Sequence, residues 1–94
     1  ENADQIAEAV TETCLNIIER ALDNAAGEIF HIMIQTSRQG IIVQFADSGH
    51  TMRFTENDIR ADEGFGAVVD RVDSIEHKDN GGIGNLITLT RKIQ

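Results

Sequence analysis

The chain has 94 residues, 16 of them acidic and 8 basic, giving a formal net charge of −8. That length holds one small domain, and a hydrophobic share of 40% suits a folded chain rather than a disordered one. An acidic surface repels DNA and RNA, which argues against nucleic-acid binding. No apolar run approaches membrane-spanning length and no signal sequence is visible, so this segment is expected to make no membrane contact.

Gln5 to Asn24 reads as one long helix, because Ile6, Val10, Cys14, Ile17 and Ala21 recur at helical spacing and Gly27 follows as a stop. Glu12 and Asn16 lie four apart on one edge of that stripe, so a carboxylate and a carboxamide project from the same face. Such a pair can hold a metal ion or polar ligand, or simply face solvent. Cys14 has no partner for a disulfide and reads as a small buried hydrophobe, in keeping with a reducing compartment. The helix starts almost at Glu1, which suggests a piece of a longer protein.

Glu28 to Thr36 alternates with apolar residues on both sides, predicting a strand covered on one face and flanked by neighbours. Ser37 to Gly40 supplies a hairpin turn, and Ile41 to Ala46 the return strand. His31 on the first strand has no partner set for a metal. The return strand delivers Asp47-Ser48-Gly49, a polar turn at a strand end, where ligand sites are common. His50 to Glu63 reads as a polar loop with one helical turn starting at Thr55, and Arg53 and Arg60 are its cations. Gly64-Phe65-Gly66 then opens a second helix with the stripe Phe65, Val68, Val69, Val72, Ile75. Two glycines at a helix start let backbone N–H groups approach a phosphate. Ile75 to Lys78 and Asn85 to Lys92 read as a closing pair of strands joined by Asp79 to Gly82. Helix, hairpin, loop, helix, hairpin predicts an α/β (α+β) two-layer sandwich, with a mixed, mainly antiparallel sheet and helices on one face.

Glu12-x-x-x-Asn16, Asp47-x-Gly49 and Gly64-x-Gly66, in that order, resemble the boxes of the Bergerat-fold (GHKL) superfamily of ATPases and kinases. Thr11 to Ile17 and the tail from Asp73 to Arg91 are similar to the anti-sigma-factor serine kinases. Gly64 to Ile75 is similar to short-lid sensor histidine kinases. The resemblance spans nearly the whole chain and implies a cytoplasmic ATP-binding protein-kinase domain of bacterial signalling. By that resemblance Glu12 is the general base and Asn16 the Mg²⁺ ligand beside the triphosphate. Asp47 takes the adenine amino group, Gly49 gives the base room, and Gly64 and Gly66 meet the phosphates. The implied cofactors are ATP and Mg²⁺. The implied partner is a regulatory protein: a sigma factor, an anti-anti-sigma factor or a response regulator, with a homodimer also open. The chain departs from the family at three places, and the helix and strand that commonly precede the asparagine-bearing helix are missing or cut away. Thr51 stands where a second glycine is usual, only residues 50–63 form the lid, and Glu19 replaces a lysine common after the helix asparagine. A degenerate pseudokinase that serves as an interaction module in partner switching is the alternative.

Overall fold

The computed structural model describes residues 2–25 and 27–92. It is an α+β fold: one four-stranded sheet, ordered β1-β2-β4-β3, with helical segments over one face. The strands are β1 (His31–Thr36), β2 (Gly40–Asp47), β3 (Ser74–Asn80) and β4 (Ile83–Lys92). The sheet was expected to be mixed, but all three strand pairings are antiparallel. Each hairpin needs only a short turn, and the β2-to-β4 pairing closes around the intervening loop, so no parallel crossover arises.

Strand alternation sorts the side chains between the two faces. Val43, Phe45 and Asp47 of β2, Asn85, Ile87 and Leu89 of β4, and Ile75 of β3 point to the helix side, where all are buried. Helix α1 (Asn2–Asn16) is continued by a π-helical turn over Ile17–Ala21, and together they lay Ala9, Ile17, Ala21 and Leu22 on that face. Phe65 and Val68 close the core from the far side of the loop. Each large apolar side chain buried here contributes roughly 1.5–3 kcal/mol. Thr13 is buried in the helix because its hydroxyl donates to the Ala9 carbonyl, 2.8 Å away. Burial pushes the half-buried Cys14 thiol up from its ordinary pKa.

Four expectations need correction. The long helix does not run uniformly to Asn24. It widens after Asn16, with the Leu22 N–H donating to the Ile17 carbonyl, and Asp23 and Asn24 lie in the left-handed region at φ 53° and 56°. The second helix is one turn, α2 (Gly66–Val69), and Ile75, expected on its stripe, belongs to β3. The predicted single turn at Thr55 is followed by two more, so three 3₁₀ turns span Thr55–Asn57, Ile59–Ala61 and Glu63–Phe65. Asp58 and Asp62 cap the second and third, accepting the N–H groups of Arg60 and Gly64 and leaving no need for a longer helix. Finally, among the described residues β1 is an edge strand bordered by β2 alone, and every one of its residues is exposed. Its apolar residues on both sides suggested cover that the described helices do not extend to. Among the described residues no helix is long and apolar enough to cross a membrane.

Candidate functional site

Two polar corners form on the helix-covered face. The first is built where β2 ends. Asp47 follows Val43 and Phe45 in alternation and so points inward, with only 3% of its surface exposed. Its Oδ1 accepts the Gly49 N–H at 2.9 Å, an Asx turn that reverses the chain. Directly across in the sheet register stands Asn85 of β4. The Asn85 amide nitrogen donates to both Asp47 oxygens, at 3.1 and 3.3 Å, and to the His50 carbonyl at 2.8 Å. The Asn85 Oδ1 accepts the Met52 N–H at 2.7 Å and lies 2.7 Å from His77 Nε2, which therefore carries the proton. Asn85 thus welds the strand end to the loop that follows it. The donors to Asp47 are neutral. A carboxylate has about four lone-pair sites, and among the described residues Oδ2 receives the longer Asn85 contact alone.

Glycines let this corner close. A Cβ on Gly49 would lie 2.2 Å from the Ala21 carbonyl oxygen, and the His50 N–H donates to that same oxygen. A Cβ on Gly84 would lie 2.1 Å from the Asp47 carbonyl, and its φ of 79° is left-handed besides. Gly49 therefore answers to the helix end packed against it. Beside it opens a cavity of about 670 Å³ bordered by Leu22, Ser48, Gly49, His50, Thr51 and Arg53.

The second corner is built where α1 widens. Asn16 is 8% exposed, and its amide nitrogen donates to the carbonyls of Glu12 and Gly64, both at 2.9 Å. Its Oδ1 accepts from the Arg20 guanidinium at 3.2 Å, and Arg20 in turn pairs with Asp62 at 2.7 Å. Gly64 sits so close that a Cβ there would lie 2.6 Å from Asn16 Oδ1. Between the corners lies Phe54. Its ring meets His77 edge-on at 4.8 Å and Phe65 at 5.9 Å, with Arg20 5.4 Å from its centroid.

The structure thus brings Asn16 to Gly64 and Asp47 to Gly49, and a chain of contacts through Asn85, His77, Phe54 and Arg20 joins the two pairs. Glu12 is half-buried one turn before Asn16 and borders a separate cleft of about 210 Å³ with Ala7, Glu8 and Thr11. Gly66 is helical at φ −56°, and a Cβ there would meet nothing within 4 Å. The expected phosphate cradle at a helix start is therefore absent in that form, since α2 has four residues and the Gly64 carbonyl is turned onto Asn16. Of the two loop cations, Arg60 is held by Asp58, whose carboxyl it keeps below the usual carboxylate range by hydrogen bonding from its side chain and backbone. Arg53 is exposed at the larger cavity.

A Mg²⁺ ion does not fit the second corner as arranged. Asn16 Oδ1 and the Asp62 carboxylate beside it both already face the Arg20 guanidinium, and a second cation there would be repelled by it. Asn85, His77, Phe54, Arg20 and Asp62 were not picked out from the sequence. Asn85 alone carried a signal, as an asparagine at the head of a strand otherwise rich in Leu, Ile and Thr, where asparagine is disfavoured. Compared with family models, curated proteins and solved structures, the chain matches none.

Proposed function

We propose that the chain is an adenine-nucleotide-binding domain of the Bergerat type, acting as a cytoplasmic protein kinase on a regulatory protein in bacterial signalling. The observation that carries this reading is Asp47, a buried carboxylate at a strand end, held among the described residues by neutral donors and with acceptor capacity left on Oδ2. An exocyclic amine is the group such an oxygen selects, and guanine, with a carbonyl there, would be refused. Glycines 49 and 84 and the Asn85 amide hold that carboxylate at a fixed place. ATP is the proposed ligand. Mg²⁺ would join it only after Arg20 had left Asn16.

A second reading is favoured by Phe54 and Arg20, which fill the space between the two corners. In it the chain is a pseudokinase, and the fold serves to hold a regulatory protein. Thermal unfolding with Mg-ATP, with ATP plus chelator and with Mg-GTP separates the readings. Binding to the native state alone at about a hundred times Kd stabilises it by about 2.7 kcal/mol. The kinase reading expects that shift with Mg-ATP, a smaller one with chelator and none with GTP. Asp47→Asn should then weaken ATP by roughly tenfold to a hundredfold, the worth of one hydrogen bond to a charged group. No shift at millimolar Mg-ATP in either the parent or Arg20→Ala would leave the interaction module standing.

A further inference from the structure

Asn80 is the one asparagine in the chain that a glycine follows. An asparagine amide can be attacked by the backbone nitrogen of the next residue, and a side chain on that residue stands in the way. Gly81 has none, and a Cβ there would meet nothing within 4 Å. Its φ of 72° and the 107° of Gly82 are both left-handed, as the two-residue turn between β3 and β4 requires. Asn80 and Gly81 are exposed. The Gly82 N–H donates to Asp79 Oδ1 at 3.2 Å, whereas the Gly81 N–H has no hydrogen bond among the described residues. Asn80 follows a register shift in the β3–β4 ladder, and its amide nitrogen donates across to the Asp47 carbonyl at 3.2 Å. That length is at the outer limit for such a bond. The attacking nitrogen is therefore open, and the amide it would attack is lightly held. Asn85 shows the opposite arrangement. Leu86 follows it, and its buried amide donates to Asp47 and His50 while accepting from Met52 and His77.

We propose that Asn80 is a site of spontaneous deamidation, and that its conversion detaches the β3–β4 turn from the strand end that carries Asp47. The Gly81 nitrogen gives up its proton to base and attacks the Asn80 Cγ. A new N–Cγ bond closes a five-membered succinimide, the Cγ–Nδ2 bond breaks, and Nδ2 leaves as ammonia with a proton from water. Water then opens either carbonyl of the ring, leaving an aspartate or an isoaspartate at position 80. Neither product can donate as the amide does. The new carboxylate sets an oxygen against the Asp47 carbonyl oxygen and adds a negative charge to a chain already at −8. The isoaspartate also lengthens the backbone by one carbon where the hairpin turns. The same Asp47 carbonyl is closely approached by Gly84 from the other side of the turn, so the disturbance falls on a crowded point.

Folded protein kept in mildly alkaline buffer should gain one mass unit, at a rate that rises with pH. An isoaspartyl-specific carboxyl methyltransferase should then label it with a methyl group from S-adenosylmethionine. Trypsin cuts after Lys78 and Arg91, and fragmentation of the peptide between them should place the change at Asn80 and not at Asn85. Asn80→Ser should abolish the gain, and Gly81→Ala should slow it. The detachment is read separately, on Asn80→Asp. That variant should have a lower urea midpoint than the parent. Its Gly49 and Met52 amides, which close on Asp47 and Asn85, should exchange with deuterium about two- to tenfold faster, the worth of one net hydrogen bond. A folded chain that gains no mass at Asn80, whether or not the urea-unfolded chain does, would overturn the proposal. So would an Asn80→Asp variant whose urea midpoint and exchange rates equal the parent's, since the bond to Asp47 would then hold nothing.

Discussion

The Asp47 corner and the Asn16 corner are both buried and polar, yet they are held by opposite means. Around Asp47 a single charge is fixed by neutral amides across two strands, with short bonds that leave little freedom. Around Asn16 a neutral amide is held by the Gly64 carbonyl and by a guanidinium that is one-third exposed and paired to Asp62. The first corner rests on sheet register, which cannot change without refolding. The second rests on a 3₁₀ turn and an ion pair near water, which a loop movement can undo. A nucleotide would find the first already shaped and would have to rearrange the second.

The largest test of this contrast is Asn85→Leu, which keeps the branched shape of the side chain and removes the hub. Asp47 would lose its Asn85 side-chain donor, and the Met52 N–H would lose its acceptor. A buried group left unsatisfied costs about 1–3 kcal/mol, and more when charged, so a loss of about 3–5 kcal/mol is expected in denaturant unfolding. A cost below about 0.5 kcal/mol, the ordinary surface value, would mean that water already serves this corner and that it is not preshaped.

The same contrast marks what could be read in advance. The β1–β2 hairpin and β4 were legible because alternation and a Gly-containing turn are local signals. Asp47 and Gly49 were legible as a strand-end turn for the same reason. Asn85 was not, because its meaning depends on lying opposite Asp47, a partner 38 positions away. Arg20 gave no site signal for the same reason, since its bond to Asp62 spans 42 positions. The helix beyond Asn16 looked regular because apolar spacing does not distinguish an α turn from a slightly wider π turn. The exposure of β1 was hidden because an apolar strand looks the same whether it is covered or waiting for a partner.

Arg20→Ala is the intermediate test. The Arg20–Asp62 pair is partly exposed, so its removal should cost no more than about 1 kcal/mol, and that cost should shrink in high salt. If the second corner is a removable plug, the variant should gain response to Mg-ATP while losing a little stability. Thermal unfolding with and without Mg-ATP reads both quantities. A stability loss near that expected for Asn85→Leu would show that Arg20 belongs to the rigid scaffold, and the contrast between the corners would fail.

The smallest effect, and the sharpest in sign, is expected at Gly66. Its φ of −56° is ordinary helix, and a methyl group there would meet nothing within 4 Å. Nothing in the folded chain requires glycine at this position. Gly66→Ala should therefore stabilise the protein by about 0.4–1 kcal/mol, since alanine restricts the unfolded chain and favours the helix. If the lid opens and the residue-66 backbone then approaches a phosphate, the same methyl group should weaken ATP. Stability and affinity would move in opposite directions, as expected where a residue serves a ligand rather than the fold. Gly64→Ala provides the control, because its Cβ would press on the Asn16 amide oxygen at 2.6 Å in the closed form. That change should lower stability whether or not nucleotide binds. Urea midpoints and ATP titrations on the two variants decide the matter: a stabilised Gly66→Ala with unaltered ATP affinity would remove Gly66 from the site and leave the proposed phosphate end to Gly64 and Asn16.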